Sequence, residues 1–283
     1  MAHHQESYYY VPGPSYWPLI GSLALLLMAG GAVLTVNHID GGGMMLAAGF
    51  AVLVFMMFRW FGQVIGESEG GTYNKRVDIS FRWGMSWFIF SEVMFFSAFF
   101  GALFYMRSVS VPDLASIDNS LIWEGFKNAW PTAGPGFKDQ WTPMEAWGIP
   151  AINTLLLLTS GATLTWAHGG LVKNNRTQLN VGLALTILLG LLFLSLQVYE
   201  YSHAYHAMNL KLTTGAYGTT FYMLTGFHGF HVTVGATMLI VILVRCLKGH
   251  FKPDHHFAFE AVAWYWHFVD VVWLFLFVVV YWL

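Results

Sequence analysis

Apolar positions in this chain fall into long blocks separated by short polar breaks. Seven blocks approach the roughly 20 mostly apolar residues that a helix needs to cross about 30 Å of hydrocarbon. They are Ser15–Val36, Gly43–Ile65, Phe81–Met106, Met144–His168, Leu179–Ser202, Gly215–Cys246 and Phe257–Leu283. Pro14 and Pro18 stand at the mouth of the first, where proline's missing N–H costs least. Gly41-Gly42-Gly43 provides a tight turn into the second, so the pattern predicts a helical hairpin there. The sixth block, at about 32 residues, would be roughly 48 Å long, so it must tilt or project beyond the headgroups. The fold class predicted is an all-α membrane protein, with one seven-helix transmembrane domain over residues 1–283.

Composition supports this. Hydrophobic residues are 56% of the 283, aromatic residues 18% and charged residues only 10%, where a soluble domain averages about 25% charged. So few charges cannot coat a water-soluble particle of this size. The net charge of −2 and the lack of a basic run exclude nucleic acid as a partner. The single cysteine, Cys246, cannot form an intrachain disulfide. Met1–Ser7 is polar without Lys or Arg, unlike the start of a secretory signal, so the first block is expected to remain as a membrane helix.

Orientation follows from the basic residues. With seven spans, the N-terminal side holds Arg59, Lys75, Arg76, Arg82, Lys173, Arg176, Arg245, Lys248 and Lys252. The opposite side holds Arg107, Lys127, Lys138 and Lys211. This asymmetry predicts a cytoplasmic N-terminus. The one long connection, Arg107–Pro143, is then an outer loop, expected to cover helix ends or a neighbouring subunit.

Ionisable groups at bilayer depth cost roughly 2.5 to 3.5 kcal/mol on insertion scales and are functional candidates. Glu92 lies mid-helix in Trp87-Phe88-Ile89-Phe90-Ser91-Glu92-Val93-Met94-Phe95-Phe96. It reads either as a proton-exchanging carboxyl or as a hydrogen-bond partner to a histidine on a neighbouring helix. His228 and His231 share a helix face at i, i+3, as a metal pair would need, or they hydrogen-bond between helices. Gly226, Gly229 and Gly235 beside them predict the close approach of another helix or a flat group. His267 and Asp270, also i, i+3, read as an oriented metal ligand or as a self-contained polar clasp. Glu200, His203 and His206 read as a wetted helix end, and Asn153 and Gln197 as interhelical hydrogen bonds. His255-His256 and His3-His4 are expected to be solvated. None of these local signals selects an activity, and no dinucleotide, phosphate-loop or nucleophile-elbow motif is present.

Taken together, several runs closely resemble the subunit III family of haem–copper cytochrome c oxidases. They are Trp17-Pro18-Leu19, Ser91-Glu92-Val93-Met94-Phe95-Phe96, Thr165-Trp166-Ala167-His168, Thr225-Gly226-Phe227-His228-Gly229-Phe230-His231-Val232 and His255-His256-Phe257. The most specific is Ala263-Trp264-Tyr265-Trp266-His267-Phe268-Val269-Asp270-Val271-Val272-Trp273-Leu274-Phe275-Leu276. The resemblance covers essentially the whole chain.

That resemblance implies two helical bundles, of two helices (residues 15–65) and five (residues 81–283), separated by a lipid-holding cleft that also serves oxygen access. It implies a non-catalytic core subunit of a proton-pumping oxidase. The chain would have no catalytic residue, metal or cofactor of its own, with haem and copper in subunits I and II and cytochrome c as the complex's substrate. A quinol oxidase subunit, a stand-alone metalloenzyme using His228, His231 and His267, and a Glu92-dependent transporter are the rival readings. Under the resemblance, Glu92 is the carbodiimide-reactive carboxyl, and His228, His231, His267 and Asp270 are structural buried polar groups. Trp60, Glu67, Arg245 and His255 contact phospholipid, although Gly66 replaces an often basic family position. His3 and His4 would join a proton-collecting surface. The long outer loop points to a bacterial plasma membrane rather than the mitochondrial inner membrane.

Overall fold

A computed structural model describes residues 10–283. His3 and His4 lie outside the described residues. Eight α-helices follow in order: α1 Trp17–Val36, α2 Gly42–Glu69, α3 Lys75–Tyr105, α4 Val111–Leu114, α5 Ile149–Val172, α6 Arg176–His206, α7 Gly215–Leu247 and α8 Phe257–Leu276. π-helical stretches Met106–Ser110 and Phe277–Trp282 carry α3 into α4 and finish α8. No strand occurs among the described residues, only an isolated bridge between Lys252 and His255. Among the described residues, seven helical segments are long and apolar enough to cross a membrane.

The helices outrun the apolar blocks at several ends. Asn74 Oδ1 accepts from the backbone N–H of Arg76 and Val77, both at 3.1 Å, and opens α3 six residues before Phe81. Asn175 likewise accepts from Gln178 N and opens α6 before Leu179. Polar residues beyond the hydrocarbon remain good helix formers once capped, so hydropathy marks the membrane and not the helix. At the C-terminal end of the third span, helix continues to Leu114, which shortens the irregular part of the predicted 107–143 loop. The fourth span instead starts late, at Ile149, with Pro150 in its first turn.

The chain divides into two compact units, Met1–Trp83 and Gly84–Leu283. In the first, α1 and α2 form the hairpin that the glycine turn predicts, with Gly41 at φ 87° capping α2. Their backbones touch: a Cβ on Gly49 would lie 2.7 Å from Met28 N, and one on Gly31 would collide with the backbone of Leu46.

The second unit is organised around Trp266 of α8, which is fully buried. Its indole lies where Cβ atoms on Gly190 of α6 and Gly235 of α7 would come within 2.7 and 2.8 Å. Its Nε1–H donates to Ser160 Oγ of α5 at 2.9 Å. Four helices therefore meet on one side chain, and Gly235 faces the flat group that its small size predicts. Gly229 has open space where a Cβ would be, so it does not mark a close approach.

The long connection between the third and fourth spans folds back onto the start of α7 and the residues just after α6. Ala216 N and Tyr217 N donate to Ala133 O and Thr132 O at 3.1 Å, and Trp141 stacks on Tyr217. Of the covering roles expected for this loop, capping the chain's own helix ends is the one observed.

Candidate functional site

Glu92 of α3 is partly buried, and its Oε2 lies 2.9 Å from Nε2 of His231 on α7. The other ring nitrogen of His231, Nδ1, is 2.6 Å from the carbonyl of Phe227 one turn earlier. A carbonyl only accepts, so Nδ1 carries a proton and donates. A hydrogen bond between Nε2 and the carboxyl then requires one further proton on the pair. Phe95, Phe96 and Tyr265 surround the imidazole with ring centroids 5.0 to 6.4 Å away. The pair is a carboxyl–imidazole bond in an aromatic setting, the histidine partnership the sequence reading allowed for Glu92.

His228 points elsewhere. It is buried between Phe193, edge-on at 5.8 Å, and Trp273 at 5.2 Å, and neither ring nitrogen has a hydrogen-bond partner. The interhelical bond expected of it is not formed. The i, i+3 spacing placed the two imidazoles on one side of α7, yet they face different neighbours and do not converge on a common point.

His267 was expected to be buried and is not: its side chain is 44% exposed, whereas Asp270 is buried. Their closest approach, Nδ1 to Oδ2, is 3.5 Å, and His267 Nε2 lies 3.4 Å from Thr165 of α5. The clasp is present but long, and both the Asp270 carboxyl and the His267 ring lie against Gly161 of α5.

Glu200 corrects a second expectation. It is 1% exposed, not at a wetted end, and Tyr281 Oη donates to its Oε1 at 2.8 Å. His203 and His206 are exposed as expected. Asn153 is buried with neither amide atom hydrogen-bonded, so the interhelical bond predicted for it is missing.

The residues assigned to lipid lie in both units and are described separately. In the first, Trp60 is 44% exposed. Glu67 accepts from Gln63 Nε2 at 2.8 Å and from Tyr73 Oη at 2.6 Å, and Trp17 Nε1–H donates to Gln63 Oε1. Burial, and then the Glu67 carboxylate it bonds, hold the Tyr73 phenol above the usual tyrosine range. In the second unit, the Arg245 guanidinium lies over the Phe251 ring, 4.3 Å from its centroid, and is buried rather than projecting. His255 is exposed, while its neighbour His256 is not simply solvated: it is half-buried against His168 and Glu260. The Gln63–Glu67 spacing of four could have announced their contact, but Tyr281 on Glu200 has no local signal.

Three imidazoles that a redox metal would require are thus committed to separate surroundings: His231 to Glu92, His228 to an aromatic box and His267 to Thr165 and Asp270. Comparison with known proteins decides the family. Residues 7–283 match the model of "Cytochrome c oxidase subunit III". This chain belongs to that family. Similar proteins named cytochrome c oxidase subunit 3 include that of Rattus norvegicus, 42% identical with 99% of this chain and 98% of the relative aligned. That of Hippopotamus amphibius is also 42% identical over the same shares, and that of Marchantia polymorpha is 41% identical over 98% and 97%. Membership agrees with the seven spans and makes the chain a multipass membrane protein of the respiratory oxidase.

Proposed function

We propose that this chain is the non-catalytic third core subunit of a proton-pumping cytochrome c oxidase, assembled with subunits I and II. The observation that carries this reading is the family match along residues 7–283. Haem and copper would belong to subunits I and II, and cytochrome c would be the donor to the complex. The commitment of His228, His231 and His267 to separate surroundings supports a structural role for them.

The chain would act by holding phospholipid and by sustaining proton uptake during turnover. Trp60 and Glu67 on the first unit, with Arg245 and His255 on the second, are the lipid contacts proposed. An exposed indole suits a headgroup boundary, and the Glu67 carboxylate suits a lipid ammonium. Glu92 with His231 is a proton-holding pair whose role is to tune, not to conduct electrons. The excess of Lys and Arg on the N-terminal side supports a cytoplasmic N-terminus, and the long outer connection supports a bacterial plasma membrane.

The test is purification in mild detergent through a tag on this chain, with a visible spectrum and metal analysis of the eluate. Haem and copper arriving with two larger partners is the expected result. The Glu92→Gln variant should assemble with full haem content; a purified variant that has lost its haem would contradict the role given to Glu92.

A further inference from the structure

At the end of the second unit where α5 finishes and α8 begins, three ligand atoms converge. His168 Nε2 of α5 lies 3.3 Å from His256 Nε2, and His256 Nε2 lies 3.1 Å from Oε1 of Glu260, one turn into α8. All three atoms are within 4.8 Å of one another, and all three residues are half-buried. We propose that His168, His256 and Glu260 form a divalent-cation site of the class that takes Zn2+.

Two of the three ligand–ligand edges already have the length that a bound ion would give them. Zinc bonds to imidazole nitrogen and carboxylate oxygen are about 2.0–2.2 Å, so a tetrahedron of such ligands has edges of about 3.3 Å. The His168–His256 and His256–Glu260 edges are 3.3 and 3.1 Å, and the third is within 4.8 Å. Two nitrogens and one oxygen suit zinc better than calcium or magnesium, which prefer oxygen alone. Two neutral imidazoles and one carboxylate leave a net negative charge facing the ion.

His256 is also oriented as a ligand. Its Nδ1 is 3.0 Å from the Lys252 carbonyl, which can only accept, so Nδ1 carries the proton. The lone pair of the neutral ring is then on Nε2, directed at the other two groups. This is the backing hydrogen bond that fixes the tautomer of metal-bound histidines. The reciprocal backbone bonds between Lys252 and His255 hold that carbonyl in place. His168 is set by its ring contact with Phe259 at 5.3 Å.

The Nε2 lone pair of a neutral His256 faces the Glu260 carboxylate at 3.1 Å, acceptor against acceptor. One positive charge among the three atoms, a proton or a metal, resolves this. Beside them lies a cavity of about 220 Å³ bordered by His168, Glu260, Trp264 and His267. That is room for several waters at about 30 Å³ each, one of them a fourth ligand. A bound ion would tie the C-terminal end of α5 to the N-terminal end of α8.

The experiment uses the assembled complex purified through a tag on this chain. It is stripped with a chelator, equilibrated with graded free Zn2+ and desalted, and zinc is counted per tagged chain. The wild type is expected to hold one zinc equivalent more than His168→Ala at micromolar free zinc. Glu260→Gln, which keeps the side-chain shape, should weaken that equivalent by about tenfold or more. His203→Ala, an exposed imidazole outside the cluster, should match the wild type. Equal zinc content and midpoint in all four proteins would overturn the proposal, as would filling that needs millimolar zinc. If His168→Ala fails to assemble, Glu260→Gln alone decides. Haem per tagged chain, read in parallel, reports on the oxidase assignment and is independent of the zinc count.

Discussion

In the first unit α1 and α2 meet backbone to backbone at Gly31, Gly42 and Gly49, whereas α5 to α8 in the second meet through indoles and buried polar groups. Only 17% and 11% of the apolar windows of α1 and α2 are buried, against 39% to 50% for α5 to α8. Lipid tails are as apolar as leucine, so burial as such does little to drive membrane helices together, and close packing and hydrogen bonds must do it. The hairpin relies mainly on the first, with a single indole bond, Trp17 to Gln63, between its helices near their open ends. The second unit uses both, with Trp266 on Ser160, Trp273 on Thr154 and Tyr281 on Glu200. The teaching is that the same solvent permits two grades of specificity: small residues allow approach, and directional bonds choose the neighbour.

Removing the hub should separate the two modes most clearly. Trp266→Ala empties the space between Gly190 and Gly235 and removes the indole donor from Ser160 Oγ, which keeps its own bond to Leu157 O. A cost of about 3–5 kcal/mol is expected from aromatic truncations in protein cores. It is read as earlier thermal loss of this subunit from the detergent-purified complex. Retention equal to wild type would show that the second unit does not depend on that contact.

Gly31→Val tests the hairpin in the same assay. Its Cβ meets the Leu46 backbone, which cannot rotate away, so α1 and α2 must part. Overpacking of this kind costs about 1–3 kcal/mol, a smaller shift than for Trp266→Ala. An equal or larger shift would mean that the glycine seam holds the fold as firmly as the indole hub.

The smallest effect belongs to Tyr73→Phe, which removes one donor from Glu67 at the rim of the first unit. Because the Tyr73 phenol is held above its ordinary range, its contribution is present below about pH 10, the unperturbed value, and fades as pH rises through the folded value. Wild type and variant should therefore differ in stability near neutral pH and converge at strongly alkaline pH. A difference that grows with alkalinity would overturn the assignment.

Much of this was legible in the chain. The seven spans, the glycine turn and the family follow from hydropathy and short runs because both are sums over neighbours in sequence. Asn74 and Asn175 were legible as caps and were passed over by boundaries drawn from hydropathy alone. The partners of the buried polar groups were not legible. Glu92 and His231 are 139 residues apart, Trp266 and Ser160 are 106, and Glu200 and Tyr281 are 81. Spacing of three or four places residues on one helix face, but not what that face meets. Thus His228 and His231, one turn apart, went to an aromatic box and a carboxyl, and His256 was drawn in beside His168 and Glu260. The sequence by itself determined which segments cross the membrane and which family they belong to, because transfer free energy is local and additive. Tertiary structure alone decided which ionisable groups share a proton or a cation, because that depends on the rotation of each helix about its axis and on the neighbour it packs against.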